Sequence, residues 1–95
     1  MWKHKQFLEN GVGVTNLLED NVLPGTGLNI PGRHVNADGY VADGDGYIVL
    51  AAPIDWGNVK GRTYPTPFGY TGKVYDANGT PYSHSGKPVL DVYIR

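Results

Sequence analysis

Ninety-five residues with no cysteine, eight basic and nine acidic side chains and a net charge of −1 make one small domain, held by packing or by association. Disulfides and thiolate zinc sites are excluded, and the even spread of charge leaves no basic block for nucleic acid or an anionic membrane. Fourteen glycines, seven prolines and seven tyrosines describe short aromatic strands between many turns, not a helical bundle.

The chain begins MWKHKQFLEN, which is positive but lacks the apolar run of roughly 7–15 residues that a signal peptide needs, or the ~20 of a membrane helix. If Met1 is the natural start, the expectation is a protein not exported by the general secretory route. Trp2, Phe7 and Leu8 are apolar, but Gly11 and Gly13 interrupt any helix. Residues 15–20 predict one or two helical turns with Thr15 as N-cap. Pro24-Gly25-Thr26-Gly27 and Pro31-Gly32 then punctuate a loop. Residues 1–34 therefore read as an extended N-terminal arm. Either it wraps the rest of the domain, or it packs on a neighbouring subunit through Trp2, Phe7 and Leu8, which are costly to leave in water. The second role predicts a homo-oligomer or larger assembly.

From Val35 onward the pattern is strand and turn. Asp38-Gly39, Asp43-Gly44 and Asp45-Gly46 are hairpin signals, since glycine supplies positive φ and aspartate bonds back to the chain. They do not make an EF-hand: counted from Asp43, the position that needs an acid is Ile54. Tyr47-Ile48-Val49-Leu50-Ala51-Ala52 predicts a strand buried on both faces and ended by Pro53. Residues 62–67 read as an edge strand or loop because of Pro65 and Pro67. Gly72-Lys73-Val74-Tyr75-Asp76 reads as a strand entering a turn at residues 76–79, and residues 88–94 as the last strand. The fold class is all-β, and this strand spacing suggests a small barrel over residues 35–95.

The order of these motifs resembles one family. Residues 47–53, then Thr66-Pro67-Phe68-Gly69, then Gly72-Lys73-Val74-Tyr75-Asp76, then Leu90-Asp91-Val92-Tyr93 are similar to the three-aspartate (3D) domain of bacterial and phage cell-wall proteins. The resemblance covers about half the chain, from Asp45 to Arg95. It implies a six-stranded double-psi β-barrel and contact with peptidoglycan. Of the family's three aspartates, the second falls on Asp76 and the third on Asp91. The first falls on Ala52, ahead of Pro53. The compact glycine-rich link between the last two is replaced by the longer Asn78-Gly79-Thr80-Pro81-Tyr82-Ser83-His84-Ser85-Gly86.

Two carboxylates serve glycan cleavage when burial keeps one protonated as general acid. Asp91, set among Val, Leu, Tyr and Ile, is the candidate acid, with Asp76 to position substrate or stabilise charge; the plainer readings are a structural Asp91 and a turn Asp76. Trp56, Tyr64, Phe68, Tyr70 and Tyr82 are candidate sugar-stacking or partner-anchoring residues, against a plainer role as barrel core. His4, His34 and His84 lack ligand spacing and read as surface residues, and Ser83 and His84 point apart if they share a strand. No metal site and no cofactor is expected. A wall-associated module without a leader fits a phage product, because virions and lysis deliver proteins without secretion. The expected function is thus a phage-type structural or cell-wall-contacting β-barrel protein, virion-associated or in the cell envelope, and non-catalytic. The alternative is a peptidoglycan-cleaving lytic transglycosylase using Asp91 and Asp76. Ala52 at the first aspartate position favours the former.

Overall fold

A computed structural model describes residues 2–8, 13–20, 29–79, 83–84 and 87–95. The strands are β1 (Trp2–Leu8), β2 (Gly13–Asp20), β3 (His34–Val35), β4 (Val41–Ala42), β5 (Ile48–Pro53), β6 (Thr63–Pro65), β7 (Thr71–Gly79), β8 (Ser83–His84) and β9 (Lys87–Ile94), with one 3-10 turn at Ile54–Trp56. The protein is all-β, and no α-helix occurs among the described residues.

β5 organises the sheet. Its six residues are all buried, because β5 lies between β7, which runs parallel to it, and β9, which runs antiparallel. Ile48, Leu50 and Ala52 point into the main core with Phe7, Val74, Leu90 and Val92. Val49 points to the other face, where Ile30 and Val41 join it under Tyr75 and Tyr93. β7 approaches β5 closely at Gly72, where a Cβ would lie 2.6 Å from the buried Leu50 side chain. Only glycine fits beneath that leucine.

The aspartate-glycine turns form as the sequence predicts, and they share one plan. Asn36 Oδ1 accepts from the amides of Asp38 and Tyr40, both at 3.0 Å, and Asp43 Oδ1 accepts from those of Asp45 and Tyr47, both at 2.9 Å. Gly39 and Gly46 follow, each at φ 89°. Thr66 repeats the plan with its hydroxyl, accepting from the Phe68 amide and donating to the Tyr70 carbonyl ahead of Gly69 at φ 86°. Three turns thus consist of a short polar residue, two others, a left-handed glycine and a tyrosine.

Three expectations are corrected. Residues 15–20 are not helical: they lie in β2, paired antiparallel with β1. A helix of one or two turns cannot repay its nucleation cost, whereas β1 offers a ready ladder. Residues 76–79 are not a turn but the end of β7, held there because Ala77 is buried in the core and Gly79 pairs with Pro53. Among the described residues the ladders also do not close into a ring, since β2, β3 and β6 each have one neighbour. The N-terminal segment adds β1 to the sheet through an antiparallel ladder with β9, and Phe7 is fully buried in the main core. Burying a phenylalanine is worth roughly 1.5–3 kcal/mol, so Phe7 ties this stretch to its own domain.

Candidate functional site

Two regions carry candidate chemistry. The first is a row of residues across four strands. Ala51 of β5 is in register with Asp76 of β7 on one side and Asp91 of β9 on the other, and Asp91 faces Gln6 of β1. Directly paired Asp91 and Ala51 project from the same face, whereas the β5–β7 ladder shifts register at Ala51; the two aspartates stand on either side of Ala51 with their Cα atoms about 10 Å apart, two strand spacings. The family's first aspartate position, Ala52, faces the opposite way and is buried in the apolar core.

Asp91 is largely buried. His4 Nδ1 lies 3.6 Å from Asp91 Oδ1, an ion-pairing distance but too long for a hydrogen bond, and neither atom has a hydrogen-bond partner. Burial pushes the Asp91 carboxyl above its ordinary value, while the His4 ring and the Gln6 amide pull the other way. Gln6 is itself buried. Sequence reasoning placed His4 among surface histidines and overlooked Gln6. His4 is corrected here: it sits on β1, beside Asp91 and 6.0 Å from the Tyr93 ring, because the β1–β9 register carries it there. His34 is exposed, as expected, with Nδ1 2.9 Å from the Gly32 carbonyl. A buried carboxylate needs hydrogen bonds to offset its desolvation, and at Oδ1 this one has none.

The second region is an open groove of about 300 Å³, lined by Trp56, Val59, Arg62 and Tyr64. The turn Ile54–Trp56 carries one wall and β6 the other, with the indole and phenol centroids 6.0 Å apart and inclined at 51°. Val59 is buried and Arg62 is exposed. Arg62 was not singled out from the sequence; its neighbours Gly61 and Thr63 give no hint that it meets Trp56 in space.

The remaining candidates divide. Trp56, Tyr64, Phe68 and Tyr70 all pack against the main core, but Phe68 and Tyr70 do not line the groove: Phe68 meets Phe7 edge-on at 5.9 Å and stacks on Tyr40 at 5.8 Å, with the Lys5 ammonium 5.3 Å from its ring. The Tyr70 hydroxyl donates to Asp38, and that hydrogen bond raises its pKa. Leu8 is half-buried and in register with Val89. Tyr82 and the side chain of Trp2 lie outside the described residues. Among the described residues no three His, Cys, Asp or Glu side chains converge on a metal position. In comparisons with known proteins the chain matches no family model, no curated protein and no solved structure.

Proposed function

We propose that the chain is a phage-type structural, cell-wall-contacting protein that holds glycan without cutting it and works as a homo-oligomer or within a larger virion or envelope assembly. The observation that carries the reading is the Trp56–Tyr64 groove, where two inclined aromatic faces and a guanidinium border a ligand-sized space with no carboxylate among its lining residues. The resemblance to the three-aspartate family is supported by register: the strands bearing Ala52, Asp76 and Asp91 are neighbours, although far apart in sequence. Assembly is supported by β2, whose outer edge pairs with no other described strand and offers a template for a further chain.

A second reading rests on the Asp76–Ala51–Asp91 row. A general acid held up in pKa by burial, a second carboxylate two strands away and a small residue between them is an arrangement suited to protonating a glycosidic oxygen. Incubating the full chain with purified peptidoglycan separates the two. We expect the protein to sediment with the walls and to release no soluble muropeptides. Release that falls on the order of a hundred-fold in Asp91→Asn overturns the non-catalytic reading in favour of the enzyme. Release that survives the substitution also overturns it, and removes Asp91 as the acid.

A further inference from the structure

We infer that the groove takes a hexose bearing a free carboxylate, its ring against Trp56 and Tyr64 and its carboxylate on Arg62. The inference rests on the wall-contacting reading and gives that surface a ligand. The two rings are inclined, not stacked, and each is half-buried on the core with the rest of its surface lining the groove, where the C–H side of a pyranose can lie. Buried Val59 also lines the groove.

Arg62 supplies the selectivity. Its amide donates to the Val59 carbonyl at 3.1 Å, and its carbonyl accepts from the Val74 amide at 2.9 Å. The backbone is therefore fixed on both sides, and binding has only the side chain left to order. Among the described residues no carboxylate pairs with the Arg62 guanidinium. Exposed Lys60 adds a second positive charge two residues away, and exposed Asp55, on the turn before Trp56, is the acid nearest in sequence. A neutral sugar offers that cation only single hydroxyl or amide oxygens as acceptors. A planar carboxylate matches the guanidinium fork with two parallel hydrogen bonds. On a wall glycan, such a group is the lactyl carboxylate of an N-acetylmuramic residue freed of its peptide.

The test titrates the full chain with two disaccharides that differ in the lactyl group: N-acetylglucosaminyl-N-acetylmuramic acid and di-N-acetylchitobiose. The acidic sugar is expected to bind about five-fold more tightly, the size of one exposed charge pair. Arg62→Gln removes that preference, so that the two sugars bind this variant equally, and Trp56→Ala weakens both. Because Arg62 is exposed, its variant keeps the test valid even if Trp56→Ala fails to fold. Equal affinity of the wild type for the two sugars, or a preference that survives Arg62→Gln, overturns the carboxylate assignment. Binding of neither sugar by a protein that still sediments with walls overturns the groove itself and leaves wall contact standing. Loss of wall sedimentation instead removes the reading beneath it.

Discussion

Asp43 and Asp91 are both largely buried carboxylates of one β-sheet domain, and they are held in opposite ways. Asp43 is saturated: Oδ1 accepts two backbone amides at 2.9 Å, and Oδ2 accepts the Tyr75 hydroxyl at 2.6 Å. Asp91 has an oxygen with no hydrogen bond, facing an equally unpartnered nitrogen of His4. The difference lies in where the donors come from. Asp43 opens a turn, so the chain itself delivers amides two and four residues later. Asp91 lies inside β9, where backbone amides are committed to the ladders with β1 and β5, and side chains must supply what the strand cannot. A buried carboxylate at a turn stabilises the fold; one in mid-strand burdens it unless its partners are complete.

Removing the saturated member has the largest expected effect. Asp43→Ala strands two amides and the Tyr75 hydroxyl at once and is expected to cost about 3 kcal/mol, lowering the thermal midpoint by more than about 10 °C in a circular dichroism melt. A shift under about 1 kcal/mol would show that water replaces the carboxylate, and the contrast with Asp91 would collapse. Tyr75→Phe removes one of the three bonds and is expected to cost about 1–2 kcal/mol by the same measurement. It also carries a pH signature. Burial first, and the Asp43 bond second, push the Tyr75 hydroxyl up to about 12. The unfolded tyrosine ionises near 10, so the wild type loses stability as pH rises from about 10 to 12. The phenylalanine variant lacks this alkaline limb.

The saturated site was largely legible in the sequence, and the unsaturated one was not. Asp43-Gly44-Asp45-Gly46 signals a turn through local chemistry, and the apolar residues of β5 signal a strand buried on both faces; each needs only its own neighbourhood. The resemblance put Asp76 and Asp91 together as family positions, and register makes them flank Ala51. His4 and Gln6 were beyond reach, because they meet Asp91 only through a ladder between the two ends of the chain. β2 was hidden for a similar reason: Leu17-Leu18 between polar residues reads as a helical turn until β1 is there to pair with it. At residues 76–79 a strong local turn signal loses to a parallel partner strand and a buried alanine. Arg62 belongs to the same class, since its meaning depends on a tryptophan six residues earlier that the 3-10 turn swings beside it.

The smallest expected effect is also the one that decides the comparison, because its sign is reversed. Desolvation raises the Asp91 carboxyl above its unfolded value despite His4 and Gln6, so the folded state holds this proton more tightly than the unfolded chain does. Stability from that proton is fully present below the unfolded value, near 3.9, and is lost as pH rises through the raised folded value. At neutral pH the ionised group therefore works against folding. Asp91→Asn keeps the shape and removes the charge, and should stabilise the protein at pH 7 by on the order of 1 kcal/mol, or roughly 4–8 °C. The gain should vanish near pH 3, where the wild-type carboxyl is protonated as well. Thermal melts of both proteins across that range read the effect directly. A variant less stable at pH 7 would mean that the His4 and Gln6 contacts outweigh desolvation, and Asp91 would then join Asp43 as a structural carboxylate. A variant more stable at pH 7 leaves Asp91 unexplained by the fold, and the wall-release assay on the same Asp91→Asn protein then asks whether chemistry explains it instead.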